Sequence, residues 1–151
     1  MHTAEILQRD VVTVRPLDEL LWAARLMREK HVGYLVVVEP ALLDGIFRPV
    51  GVLTDRDIVV AVIARELDPR SLRVEDVMTR KPVVVRADEP LTIALREMRR
   101  IGVRRLPVIG EHDELVGVMS LDDAVAALST QLQEVAGSIK AEQALERTMR
   151  S

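Results

Sequence analysis

Cysteine is absent from this chain of 151 residues, and it has only one tryptophan, one tyrosine and one phenylalanine. Without cysteine there can be no disulfide bond, no thiolate nucleophile and no cysteine-ligated metal. No segment approaches the ~20 apolar residues of a membrane helix, and the N-terminus lacks the basic and apolar segments of a signal peptide. We therefore expect a cytoplasmic protein with an aliphatic core and no membrane contact.

An excess of positive charge is also absent, since the formal net charge is −3. Proteins that bind nucleic acid usually carry a basic stripe, so we expect no nucleic-acid partner. The three histidines have no metal-site spacing, and the acid pairs at 55/57 and 122/123 are better explained as surface capping residues than as Mg²⁺ ligands. No glycine-rich phosphate loop and no hydroxyl nucleophile with a recognisable base occurs, so we expect neither a metal nor an enzymatic activity.

The chain contains an internal duplication. A shift of 71 positions places Val14 on Val85, and after a slip of five residues Gly51–Asp57 falls on Gly117–Asp123. A unit of roughly 60–70 residues buries little apolar surface alone. We therefore expect the two copies to close one core around a pseudo-twofold axis, with two related clefts at their seam.

Both copies predict the same order of elements. A turn leads into a β-branched run, an amphipathic helix opened by acidic residues and closed near a glycine, two buried strands, and a second helix. In copy one these are Ala4–Leu7, Val11–Val14, the helix from Leu20 to Gly33, Leu35–Val38, Val50–Thr54 and Ile58–Ile63. In copy two they are Val74–Met78, Val83–Val85, the helix from Leu91 to Gly102, Leu106–Ile109, Leu115–Ser120 and Ala124 onward. A longer loop, Glu39–Pro49, accounts for the slip.

This order predicts a first repeat at 1–67, a linker at 68–73, a second repeat at 74–130 and a helical tail at 131–151. Apolar residues before and within the tail have a heptad-like spacing. They are Leu121, Val125, Leu128, Leu132, Val135 and Ile139. One interpretation is a contact between subunits, which predicts a homodimer. The other is that the helix folds back on its own domain.

The stretches HVGYLVVV…GVLTDRDI and GVRRLPVI…GVMSLDDA resemble the cystathionine-β-synthase (CBS) domain pair, also called a Bateman module. The resemblance implies an α+β fold of tandem β-α-β-β-α units packed sheet against sheet and often dimerised. It also implies a regulatory role, with clefts between the repeats that bind AMP, ADP, ATP, NAD(H) or S-adenosylmethionine, and no required cofactor.

The repeated motif Thr54-x-x-Asp57 and Ser120-x-x-Asp123 lies where a strand passes into a helix. Free backbone amides there favour an anion, and the carboxylate can accept two hydrogen bonds from a ribose diol. The alternative is plain helix capping, since the spacing is that of a capping box.

The resemblance extends the ligand contacts to the strand edges, where the base would meet Val12, Tyr34 and Leu35 in one copy and Val83, Arg105 and Leu106 in the other. Arg104 and Arg105 are candidate phosphate contacts, with solvated arginines as the alternative. The family proline is present as Pro107, but its counterpart is Val36. Because loop 39–49 could narrow the first cleft, we expect the cleft with Ser120 and Asp123 to bind phosphates more strongly.

The sequence thus favours a stand-alone regulatory CBS pair that senses an adenosine-type molecule and signals to an effector protein whose identity no residue indicates. The alternative is a structural or dimerisation module whose clefts are vestigial and bind no ligand.

Overall fold

The two copies form two β-sheets in a computed structural model, which describes residues 1–41 and 44–150. The first sheet has the order β1-β2-β3-β4, formed by Thr13–Val14, Tyr34–Pro40, Phe47–Thr54 and Thr79–Arg80. The second has the order β5-β6-β7, formed by Val85–Arg86, Arg105–Ile109 and Leu115–Ser120. In each sheet the first strand is parallel to the second, and the next pair is an antiparallel hairpin. The predicted α+β class is confirmed.

The helices follow the predicted order. They are α1 (Leu20–Lys30), α2 (Asp55–Ile58, continued by a π-helical turn Val59–Ile63), α3 (Val74–Val77), α4 (Leu91–Ile101) and α5 (Leu121–Arg150). Short 3-10 turns occur at Thr3–Glu5 and Pro69–Ser71. The buried positions of α1 and α4 keep the helical spacing read from the sequence: Leu20, Ala23 and Met27, and Leu91, Ala94 and Met98. Within the described residues no helix has the length and apolarity to cross a membrane.

Two details of the helix ends differ from the prediction. Gly102 does adopt the left-handed cap of α4 (φ 71°), but in α1 that position belongs to His31 (φ 56°) rather than Gly33. The acidic residues before the helices do not cap them. Asp18 instead accepts a hydrogen bond from the backbone N–H of Arg15 (2.7 Å), which closes the turn between β1 and α1.

The predicted loop 39–49 is largely a continuation of the β2–β3 hairpin. Glu39 pairs with Arg48 and Pro40 with Phe47, so the ladder extends beyond the predicted strand ends. Residues 42 and 43 of that segment, like residue 151, lie outside the described part of the chain. The Arg48 guanidinium donates to the carbonyl of His112 at 2.8 and 3.0 Å, which ties this hairpin to its counterpart in the second sheet.

The segment that opens each copy packs on the other copy. We call Ala4–Leu7 and Val74–Met78, with the residues that follow each, the leading segments, and we describe them as exchanged. The N–H of Ala4 donates to the carbonyl of Ala87 (2.9 Å), and Gln8 and Val118 exchange two backbone hydrogen bonds of 2.9 Å. In the other direction β4 pairs with β3, and Val74 is fully buried in the core of the first repeat. The sequence assigned each leading turn to its own copy, whereas each completes the other.

The interior consists of two cores joined by a seam, instead of the single core expected. One core contains residues of β1, α1, β2, β3 and α3, and the other contains residues of β5, α4, β6, β7 and α5. Val36, Val38 and Val118 form the seam between the sheets. The clefts of interest therefore lie along this seam.

Helix α5 runs without a break through the boundary predicted at residue 131. From Leu128 to Arg150 all of its residues are exposed, so the interpretation that the tail folds back on its own domain is wrong. About 30 Å of helix extends past the second repeat.

Candidate functional site

The motif at the start of α2 forms a complete capping box. The Thr54 hydroxyl accepts from the N–H of Asp57 (3.1 Å), and the Asp57 carboxylate accepts from the N–H of Thr54 (2.9 Å). At this copy the structure shows the capping arrangement, in which one carboxylate oxygen is already committed.

The matching motif at the start of α5 is bonded differently. The Ser120 hydroxyl accepts from the N–H of Asp123 (3.0 Å), but the Asp123 carboxylate turns toward the N-terminal segment, where its Oδ1 accepts a long hydrogen bond of 3.4 Å from Gln8 Nε2. Its Oδ2 is buried and has no hydrogen-bond partner in the described chain. Leaving a buried acceptor unsatisfied costs about 1–3 kcal/mol.

A cavity of about 180 Å³ lies between the repeats, and we call it the seam cleft; Gln8, the hydrogen-bond partner of Asp123, is among its lining residues. Its walls combine Val12 and Tyr34 from the first repeat with Arg105 and Val118 from the second, and Gln8 forms part of its rim. The hydrogen bond from Gln8 to Asp123 connects the cleft wall with a carboxylate of the second repeat. The predicted contacts therefore gather across the repeats, which sequence reasoning had grouped within each copy.

Tyr34 and Arg105 meet in the seam cleft. They occupy equivalent positions in the duplication, and the Arg105 guanidinium carbon lies 6.0 Å from the centroid of the Tyr34 ring. Burial raises the pKa of the Tyr34 phenol well above its ordinary value, and the charge of Arg105 opposes the rise only in part. The cleft thus offers a neutral aromatic face beside a permanent cation.

Other predicted site residues lie elsewhere. The side chains of Leu35 and Leu106 are buried in the two cores, at 0% and 1% exposure, so only their backbone can face a ligand. Val83 packs against the second core, and Pro107 is buried in β6. Arg104 pairs with Asp122 (2.7 Å) on the surface, with both side chains about two-thirds exposed or more.

Sequence reasoning missed Gln8 and Val118 as cleft residues. Neither belongs to a recognisable motif, and Gln8 reaches the cleft only because the leading segments are exchanged. Among the described residues no group of three or more histidine and acidic side chains is placed to hold a metal ion.

The comparisons agree with this architecture. The family model for the CBS domain matches residues 4–64 and 74–130. The Methanopyrus kandleri protein MK0525 is 29% identical over 123 residues, covering 82% of this chain but only 60% of its own length. The CBS domain protein PAE2072 from Pyrobaculum aerophilum, solved in complex with AMP, is 30% identical with a TM-score of 0.71, over 82% of this chain and 89% of that one. A hexameric CBS-CP12 protein from bloom-forming cyanobacteria is 31% identical with a TM-score of 0.70, over 83% and 69% of the two chains.

Proposed function

This chain belongs to the CBS domain family, and from that premise we propose that it is a regulatory module that binds an adenosine-type ligand in the seam cleft and signals its presence to an effector protein. The ligand class is AMP, ADP, ATP, NAD(H) or S-adenosylmethionine. The AMP complex of the similar protein PAE2072 supports this class.

The observation that carries the proposal is the unsatisfied Oδ2 of Asp123, whose other carboxylate oxygen accepts a hydrogen bond from Gln8 in the cleft wall. A ribose presents two adjacent hydroxyl donors, and a carboxylate with a free oxygen can accept from them. Charge-assisted hydrogen bonds of this kind are about twice as strong as neutral ones. We therefore assign the ribose to Asp123, with Ser120 holding the helix start.

The cleft walls suit the rest of such a ligand. Val12 and the ring of Tyr34 offer apolar contact for a base. The expectation that the backbone of Leu35 reads the base edge stays a prediction, since its side chain is buried. Arg105, exposed at the same cleft, is the candidate phosphate contact. Thr54, Asp57, Val83, Leu106 and Pro107 stay assigned to a second, weaker cleft, and Arg104 contributes only if it leaves Asp122.

The proposal is tested by calorimetric titration with AMP. Asp123→Ala should weaken binding roughly 10- to 150-fold, the effect of losing about 1.5–3 kcal/mol from a charged hydrogen bond. The matched control is Asp88→Ala, which removes an exposed carboxylate that does not line the cleft and should leave the affinity within about twofold. Equal affinity in wild type and Asp123→Ala would exclude this carboxylate from the site.

The assignment of Arg105 to the phosphates is tested separately. Arg105→Gln should weaken ATP binding more than adenosine binding, and added salt should reduce the difference, because screening acts on the charge contact. If no adenosine compound raises the melting temperature, the alternative of a structural module is favoured, since a ligand at 100 times its Kd stabilises a fold by about 2.7 kcal/mol.

A further inference from the structure

A larger cavity, of about 530 Å³, lies at the far end of the seam from Tyr34. Its walls are the β1 strand, helix α1, the start of β3 and the start of β7, so both repeats contribute. Trp22 and Phe47, two of the three aromatic residues in the chain, line it and are 45% and 43% exposed. Val38, Leu115 and Val116 supply further apolar wall. We call this space the outer cavity.

Two arginines line the outer cavity, and neither has an acceptor. Within residues 1–41 and 44–150 no carboxylate or carbonyl accepts a hydrogen bond from the side chain of Arg9 or Arg15. Arg15 instead lies over the Phe47 ring, 5.0 Å from its centroid. The one acidic residue in the wall, Asp18, uses its Oδ2 to accept from the backbone N–H of Arg15. The wall of the cavity therefore contains two arginines and one acidic residue.

The second repeat provides an internal comparison. Arg86, the counterpart of Arg15, donates to Asp113 (3.0 Å) and to the carbonyl of Gly110 (3.0 Å). Arg80, the counterpart of Arg9, donates to the carbonyl of Glu75 (3.1 Å). At the position equivalent to Asp113 the first repeat has Phe47, so an aromatic ring replaces the carboxylate. The acceptor is thus missing in one copy only, and there the arginine faces a cavity.

We propose that the outer cavity is a binding site for an organic anion with a planar apolar body, such as an aromatic carboxylate, sulfonate or phosphate ester. The volume is within the range of small-molecule pockets, and the apolar wall with a few convergent polar groups is the usual design. Arginine binds carboxylate and phosphate oxygens in bidentate pairs, and the exposed rings of Trp22 and Phe47 offer faces for stacking. The outer cavity and the seam cleft share one lining residue, Val11, and are otherwise lined by different residues.

The test uses 8-anilinonaphthalene-1-sulfonate as the probe, with the full chain. We expect saturable binding that enhances probe fluorescence and quenches Trp22, the only tryptophan. The double variant Arg9→Gln/Arg15→Gln should weaken binding about tenfold or more. The matched control Arg99→Gln removes an exposed arginine from α4 and should leave the affinity within about twofold. The neutral analogue N-phenyl-1-naphthylamine should bind weakly to every variant.

Three outcomes would overturn the proposal: no saturable binding of the probe, equal affinity in the double variant and Arg99→Gln, or equal affinity for the neutral analogue. Loss of the signal in Leu132→Gln/Val135→Gln would place the probe on α5 and would overturn it as well. Circular dichroism verifies that each variant is folded. Asp123→Ala should not change the probe affinity, so failure here and failure of the proposed adenosine site are distinguishable.

Discussion

Single residues decide how the two halves of a duplicated sequence diverge. Thr54 and Asp57 satisfy each other at α2, whereas Asp123 bonds to Gln8 and keeps one oxygen free. The difference does not come from the motif, which both copies share as hydroxyl-x-x-Asp. It comes from the neighbour: Gln8 reaches Asp123 from the exchanged leading segment. A buried carboxylate oxygen without a hydrogen-bond partner in the described chain is therefore present at the second copy of the motif.

Tyr34 gives a prediction about alkaline pH. Its folded pKa is raised by burial above the ordinary value of 10.0, so the folded state holds the proton longer than the unfolded state does. Above pH about 10 the unfolded chain binds fewer protons, and the free energy of unfolding should fall by up to about 1.36 kcal/mol per pH unit.

The chain has one tyrosine, so tyrosinate absorbance reports Tyr34 alone. We expect ionisation to coincide with the loss of the circular dichroism signal, and Tyr34→Phe to make the alkaline fall of stability less steep. Ionisation at pH 10 in a chain that stays folded would show that the ring is accessible to water.

Residue-level features follow from the sequence where the local sequence contains their cause. The capping box at Thr54 follows from spacing alone, and capping was one of the two interpretations of the motif. The unsatisfied oxygen of Asp123 and the placement of Arg15 over the Phe47 ring depend on residues distant in sequence, Gln8 and Phe47. The spacing of residues within a motif cannot predict contacts with residues so distant in sequence.

At the scale of elements, the exchange of the leading segments makes the repeats dependent on each other. Gly117 and Gly51 are the points where the exchanged segments cross the sheets. A Cβ at Gly117 would lie 2.5 Å from the carbonyl oxygen of Gln8, and one at Gly51 would lie 2.6 Å from the Met78 sulfur. The glycine that opens each repeated motif is therefore needed for close approach of another chain segment.

Substitution at these glycines is the test. Gly117→Ala should lower the free energy of unfolding by about 1–3 kcal/mol, since the crowded atom is backbone. Gly137→Ala is the matched control, because this glycine is inside α5 with no atom near its Cβ position. It should be neutral or stabilise the helix by up to about 1 kcal/mol. Urea unfolding measures both, and a neutral Gly117→Ala would contradict the packing of Gln8 against β7.

Periodicity predicted nearly every element but not which partner each one has. The strands, α1 and α4 lie close to their predicted positions because their apolar spacing is local. The exchange was missed because the turns at Thr3–Glu5 and Val74–Val77 are short and match either copy. The extension of the β2–β3 hairpin was missed because Pro40 and Pro49 suggest a loop, although both take part in the ladder.

For the whole molecule, the unusual feature is an exposed helix. Leu132, Val135 and Ile139 are 70%, 58% and 51% exposed, and the segment 124–139 carries a single charged residue, Glu134. In proteins most of the stability of a helix comes from packing of its apolar face, and the exposed part of α5 has no such packing within the described chain. The heptad-like spacing suits a second helix of the same kind, and the scarcity of charge removes repulsion between two copies.

The last prediction is that the exposed apolar residues Leu132, Val135 and Ile139 form the contact through which the chain associates with a second copy. Ending the chain after Ser129 removes most of the exposed apolar residues of α5 but none of the residues in the two cores. We therefore expect the shortened chain to stay folded and to sediment as a smaller species at concentrations where the full chain associates. Leu132→Gln/Val135→Gln in the full chain should act in the same way, whereas Leu145→Gln, on another face of the helix, should not. An unchanged oligomer in the double variant would move the contact to the paired repeats, and an unfolded shortened chain would mean that α5 supports the second repeat beyond its buried Ala124.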